Sequence, residues 1–95
     1  MRVLINKSSS TRPERIFLEI LKRNHITFKH REKVDGREID FLIGGYAIEI
    51  DGHTQDPRRN DWLFNRGLIP IHYTNHALRH NRKAVEDDIK SKLNI

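Results

Sequence analysis

Residues 37–56, REIDFLIGGYAIEIDGHTQD, decide the fold of this chain. The stretch contains two short apolar runs, residues 39–43 and 46–50, which are rich in β-branched and aromatic side chains and are separated only by Gly44 and Gly45. A Gly-Gly pair between two such runs is typical of a tight β-hairpin, because glycine readily adopts the backbone angles that the turn requires. The sequence therefore predicts a hairpin at the centre of the domain.

Acidic residues gather in this hairpin and in the segment that follows it. Asp40 lies within the first run, and Glu49 and Asp51 are two residues apart, so they leave the same face of the second strand. His53 and Asp56 come directly after the strand has ended. Carboxylates in an otherwise apolar strand are costly to bury unless they are paired or bind a metal. The pattern therefore predicts a functional site at this end of the hairpin.

Length and composition limit the class of protein. Ninety-five residues suit one domain, residues 1–95, and the absence of cysteine excludes disulfides and thiolate zinc sites. No apolar run approaches the ~20 residues of a membrane span, so no membrane partner is expected. The net charge is +5, from 18 lysines and arginines against 13 aspartates and glutamates. With several acids gathered in one site, the remaining surface is more basic still, which indicates a polyanionic partner such as nucleic acid.

Two elements are predicted before the hairpin. Residues 1–10 are interpreted as a flexible or linker segment, although residues 1–5 also suit a short strand. Residues 11–24 carry apolar side chains at helical spacing and predict a helix. Residues 26–33 alternate between apolar and polar side chains, which favours a strand.

Three elements are predicted after the hairpin. A helix begins at Asp56 and ends at Gly67, and the strand that follows contains Pro70, which favours an edge or a bulge. A last helix is capped by Asn75 or Asn81. The predicted order is thus α-β-β-β-α-β-α: a single α/β (α+β) domain with a mixed central sheet flanked by helices.

Two of the acids have structural explanations as well as functional ones. Thr11 and Glu14 match the T-x-x-E capping box at the start of the first helix, so Glu14 either closes that box, belongs to the site, or does both. Asp56 precedes a proline and is interpreted first as the N-cap of the second helix.

Clustered carboxylates on a basic protein predict metal-dependent chemistry on phosphate. Carboxylates alone would repel a phosphate group, whereas Mg²⁺ binds one or two carboxylates and takes further oxygen ligands from phosphate. Such an ion polarises the phosphoryl oxygen and activates a water molecule, while a nearby histidine or glutamate moves the proton.

The chain resembles the PD-(D/E)XK nuclease superfamily with its restriction-endonuclease-like fold. Within it, the chain is similar to the branch of the very-short-patch repair endonuclease and the phage homing endonucleases with an EDxHD site. The resemblance extends over residues 14–73 and includes an acid in the N-terminal helix, the strand I-D-F-L-I, the strand end I-E-I-D-G, and D-x-x-R-x-x-W-L-x-x-x-G. Two positions depart from the family pattern: Ile39 stands where Pro is usual, and Asp51 stands where Lys is usual.

The resemblance implies specific roles for residues of this chain. The metal would be held by the Asp40 and Glu49 carboxylates and by the backbone carbonyl of Ile50, and His53 would transfer a proton. The implied catalytic set is Glu14, Asp40, Glu49, Asp51 and His53.

We therefore expect a metal-dependent DNA endonuclease that hydrolyses phosphodiester bonds of double-stranded DNA with Mg²⁺ or Mn²⁺. It would act in the cytoplasm of a bacterial or phage-infected cell, as the catalytic domain of a longer homing or repair nuclease. The alternative is a non-catalytic nucleic-acid binding module that retains the nuclease fold. The presence of both Asp40 and Glu49 favours the enzyme.

Basic side chains after the hairpin are candidates for phosphate contacts, although each also suits a plain surface position. His76 and His80 are spaced for one helix face, but without cysteine or an H-E-x-x-H motif they predict surface or DNA-facing positions rather than zinc. The candidate DNA contacts are Arg58, Arg59, Arg79 and Arg82.

Overall fold

The computed structural model describes residues 11–51 and 56–95. The predictions that fall on residues 1–10 and on His53 lie outside the described residues. For Asp51 the structure describes the backbone only.

Four strands form one mixed sheet in the described part of the chain. The strand order is β1-β2-β3-β4, with antiparallel pairing from β1 to β3 and parallel pairing of β3 with β4 across the connecting helix α2. The strand that contains Pro70 lies at an edge of the sheet, which confirms the prediction from that proline. The elements are α1 (Arg12–Arg23), β1 (Lys29–Val34), β2 (Arg37–Ile43), β3 (Tyr46–Asp51), α2 (Pro57–Phe64), β4 (Ile69–Thr74), α3 (Asn75–His80) and α4 (Arg82–Leu93).

This arrangement confirms the predicted α/β architecture of a mixed sheet flanked by helices. The turn of the central hairpin lies where it is predicted, because Gly44 adopts a φ angle of 57° and turns the chain between Ile43 and Tyr46. Strand β2 begins two residues before its predicted start, and β3 ends one residue after its predicted end. None of the helices among the described residues is long and apolar enough to cross a membrane.

The prediction of a single last helix is wrong, because α3 and α4 are separate. The Thr74 hydroxyl accepts a hydrogen bond from the Ala77 N–H at 3.0 Å, so Thr74 rather than Asn75 caps α3. Asn81 interrupts the helical backbone with φ −137° and ψ 41° and occupies the N-cap position of α4. Apolar spacing alone does not show that the helical segment is divided at Asn81.

The sheet is covered on both faces. On one face, α1, α3 and α4 bury the larger core, in which Phe17 packs edge-on against Phe41 with ring centroids 5.0 Å apart. On the other face, Leu63 of α2 packs on Ile39 and Ala47 in a smaller core. The larger core consists of Ile16, Phe17, Ile20, Leu21, Phe41, Ile43, Ile48, Ile50, Ile71, Tyr73, Leu78, Val85 and Ile89.

Strand β2 changes the face that its side chains cover at Asp40. Residues two apart in a regular strand share a face, yet Ile39 packs on the α2 side while Phe41 packs on the α1 side. The position opposite Asp40 in β1 is Arg31, whose φ angle is 56°, and the pairs on either side of it remain in register. Positive φ is uncommon for a residue other than glycine and often marks a functional region. The distortion places Asp40 at an irregular point of the sheet.

Candidate active site

Asp40 and Glu49 lie side by side where the hairpin strands separate. The regular pairing of β2 with β3 ends at Phe41 and Ile48, and at the next position the two acids replace the ladder with their own hydrogen bonds. The Asp40 N–H donates to Glu49 Oε2 at 3.1 Å, and the Ile50 N–H donates to Asp40 Oδ2 at 2.9 Å. Each carboxylate is therefore held by a backbone N–H of the facing strand.

Burial is the main influence on the pKa values of this acid pair. Burial raises the pKa of Asp40 above its usual range, and the nearby Glu14 carboxylate acts in the same direction. The pKa of Glu49 is also raised, first by burial and further by the charge of Asp40. The backbone hydrogen bonds and the guanidinium of Arg59 oppose both shifts without cancelling them. A cation placed between the carboxylates would therefore be stabilised.

The donor set fits a hard divalent cation. Mg²⁺ takes oxygen ligands and commonly uses one or two carboxylates, which Asp40 and Glu49 supply. Within residues 11–51 and 56–95, no group of three or more histidine, cysteine, aspartate or glutamate side chains is arranged to hold a metal. The side chains of Asp51 and His53, which the resemblance adds to the site, lie outside that description.

Glu14 lies at the predicted capping position of α1, but its carboxylate pairs with Arg31 instead of closing the capping box. Its N–H donates to the Thr11 hydroxyl at 3.3 Å, which forms the cap of α1. Its carboxylate, in a residue only 8% exposed, binds the Arg31 guanidinium, with 3.0 Å between Oε1 and Nη2. Because that charge raises the pKa of Asp40, the structure brings Glu14 into the electrostatic neighbourhood of the acid pair.

Arg59 of α2 makes a contact that the sequence did not predict. Asp56 caps α2 by accepting the Arg58 N–H at 2.9 Å, as predicted. In the first turn of that helix, the Arg59 guanidinium binds the Glu49 carboxylate, and its Nη2 also donates to the Glu38 carbonyl at 2.8 Å. The only sequence signal for this contact is an arginine in the first turn of the helix that follows the acidic strand.

The other candidate DNA contacts are placed on exposed helix surfaces. The Arg58 side chain is 92% exposed at the start of α2. Arg79 lies exposed on α3, and Arg82 lies exposed at the first position of α4. His76 and His80 lie on one face of α3, with ring centroids 4.6 Å apart and the ring planes tilted by 44°, and both are exposed.

No protein-family model and no curated protein sequence matches this chain. Among solved structures, this four-stranded mixed sheet flanked by helices is similar to the catalytic domain of a homing endonuclease. This structure is the homing endonuclease I-Bth0305I catalytic domain, one of the solved structures that match, with a TM-score of 0.72 and 25% identity. The match covers 85% of this chain and 92% of that chain. It confirms the predicted resemblance to the homing-endonuclease branch of the PD-(D/E)XK-like fold.

Proposed function

We propose that this domain is a metal-dependent endonuclease that hydrolyses phosphodiester bonds of double-stranded DNA. The observation that carries the proposal is the pair Asp40 and Glu49, held together by backbone N–H groups at the point where the hairpin of a nuclease-like sheet opens. The structural similarity of this chain to a homing-endonuclease catalytic domain supports nuclease function and DNA as the substrate. We further propose that the domain is part of a longer nuclease that acts in the cytoplasm of a bacterial or phage-infected cell.

In this proposal Asp40, Glu49 and the backbone carbonyl of Ile50 would hold Mg²⁺ or Mn²⁺. When bound, such an ion polarises a phosphoryl oxygen and lowers the pKa of a water molecule. The chain itself positions the ligands: the hydrogen bonds between the strands limit the side-chain freedom of both carboxylates. Preorganised ligands lose less conformational entropy when they bind.

The remaining members of the proposed catalytic set would transfer a proton or add negative charge to the site. His53 is proposed to move a proton, since histidine is suited to proton transfer near neutral pH. Asp51 and Glu14 are proposed to complete the set from the end of β3 and from the start of α1.

The test of this function is removal of the metal. Supercoiled plasmid incubated with the domain and Mg²⁺ should be nicked or linearised, and excess chelator should stop the reaction because the activated water is lost. Adding Mg²⁺ beyond the chelator should restore cutting. DNA binding with no cutting in Mg²⁺ or Mn²⁺ would instead support the non-catalytic binding module.

Glu14→Gln should separate the two roles of this residue. The cap of α1 uses the Glu14 N–H, so glutamine leaves the cap intact and can still accept a hydrogen bond from Arg31. The negative charge near Asp40 is lost, so the single-turnover cleavage rate should fall by about tenfold or more. For comparison, a positioned proton-transfer group contributes ~10²–10⁴-fold to a rate. The melting temperature should change little.

Glu19→Gln is the matched control, because Glu19 is exposed on the same helix. It should leave the cleavage rate unchanged. If Glu14→Gln cuts as fast as the wild type, Glu14 does not belong to the catalytic set.

A further inference from the structure

Arg59 binds the Glu49 carboxylate, which is one of the proposed metal ligands. Its guanidinium binds Glu49, and its second anchor is the backbone carbonyl of Glu38, so it is held from two sides. Its side chain is 28% exposed, which makes this a partly buried ion pair rather than a chance surface contact. Arg59 therefore supplies positive charge to the acid pair.

The same arginine also lines a groove beside α2, here called the α2 groove. The groove has a volume of about 520 Å³, and besides Arg59 its lining includes Arg37, Arg58 and Trp62. The Arg37 guanidinium lies over the Trp62 ring at 4.9 Å from its centroid, which orients one cation at the groove wall. Two aspartates also line it, so its three arginines leave the groove with a net positive charge. Several guanidinium groups at one groove suit the phosphates of a nucleic-acid backbone.

A divalent cation and the Arg59 guanidinium compete for Glu49. Both are positively charged and both use the same carboxylate, so binding of one weakens binding of the other. Displaced from Glu49, the guanidinium lies beside a groove that already carries arginines, where an anion would be its favourable partner. A DNA phosphate in that groove supplies such an anion.

We propose that Arg59 is an exchangeable cation that neutralises Glu49 in the free domain and transfers to a DNA phosphate in the α2 groove when a divalent cation takes Glu49. The inference rests on the proposed function, because it needs both the metal and the DNA. Metal binding then raises the affinity for DNA, and DNA raises the affinity for metal by the same factor. Arg59 is thus a positioning residue that couples the two ligands.

The first measurement is Mn²⁺ binding by calorimetry in the absence of DNA. Arg59→Gln removes the competing charge, so it should bind Mn²⁺ more tightly than the wild type, by about fivefold or more, the lower end of usual coupling factors. Arg59→Lys keeps one charge but loses the two-pronged contact, and its affinity should lie between the two. The control Arg58→Gln should match the wild type, because Arg58 is 92% exposed and binds no residue of the acid pair in the described structure.

The second measurement is the affinity for a short duplex by fluorescence anisotropy, with Ca²⁺ or with chelator. Ca²⁺ offers the same oxygen-ligand chemistry as Mg²⁺. The wild type should bind DNA at least about fivefold more tightly with Ca²⁺, and Arg59→Gln should lose most of that gain. Arg58→Gln should weaken binding equally in both conditions and keep the gain.

The outcomes distinguish this inference from the proposed function. A wild type that binds neither Mn²⁺ nor Ca²⁺ would overturn the metal-dependent function itself. A wild type that binds metal and DNA, with Arg59→Gln showing unchanged or weaker Mn²⁺ binding or an unchanged gain in DNA affinity, would overturn only the role of Arg59. Circular dichroism checks folding, and Arg59→Lys decides the question by the same criteria if Arg59→Gln does not fold.

Discussion

Asp40→Asn is expected to abolish DNA cleavage while the domain stays folded. Asparagine has the same size and can still accept the Ile50 N–H that Asp40 accepts at 2.9 Å, but it lacks the charge that holds a divalent cation. The single-turnover rate on supercoiled plasmid in Mg²⁺ should fall by more than about 10²-fold, since even outer partners of a metal ligand are worth about 10–100-fold. Undiminished cutting would exclude Asp40 as a metal ligand.

The same variant makes a prediction about stability. Burial raises the pKa of Asp40 in the folded state, so the native state binds the proton more tightly than the unfolded chain does. The ionised carboxylate therefore lowers the free energy of unfolding above the folded pKa, and this cost disappears as the pH falls through that pKa. Asp40→Asn should melt at a higher temperature than the wild type at pH 8, with a smaller difference in acid.

Asp87→Asn is the control for both measurements, because Asp87 is exposed on α4 and pairs only with Lys83 among its described contacts. It should cut DNA at the wild-type rate, and any change in melting temperature should be small. If Asp40→Asn melts well below the wild type, the loss of cleavage would reflect unfolding, and Glu49→Gln would then test the metal role.

Phe41→Ala is expected to have the largest effect on stability. Phe41 is completely buried, and its ring meets Phe17 edge-on at 5.0 Å, Phe28 at 6.0 Å and His30 in a parallel stack at 4.5 Å. Truncation of such a side chain removes its buried area and leaves a cavity, which costs about 3–5 kcal/mol. That is a large share of the ~5–15 kcal/mol that usually stabilises a domain, so urea denaturation should show a sharply lowered midpoint.

Phe64→Ala is the matched control, since Phe64 is 56% exposed at the end of α2. It should change the free energy of unfolding by less than about 0.5 kcal/mol, as surface substitutions usually do. A loss of under about 1 kcal/mol for Phe41→Ala would show that the α1 face of the sheet is not closely packed around this ring.

The sequence predicts those features that depend on residues close together along the chain. Gly44 and Gly45 define a turn whose conformation depends on the turn residues themselves, and the last residue of β2 and the first residue of β3 are those that the sequence predicts. The Asp56 cap depends on residues within one helical turn and is likewise confirmed. The sequence offers Asn81 as a helix start but does not predict α3 as a separate helix, because apolar spacing does not distinguish one helix from two consecutive ones.

By itself the sequence also determined that acids gather in the hairpin, because a short turn places Asp40 and Glu49 on facing strands. Only the tertiary structure decided how these acids are held and neutralised. The Arg31 contact with Glu14 and the Arg59 contact with Glu49 each join two different elements. The change of face at Asp40 likewise depends on which helices pack against the two sides of β2. The physical reason is that periodicity and capping report neighbours along the backbone, whereas an ion pair between elements depends on how helices pack on the sheet.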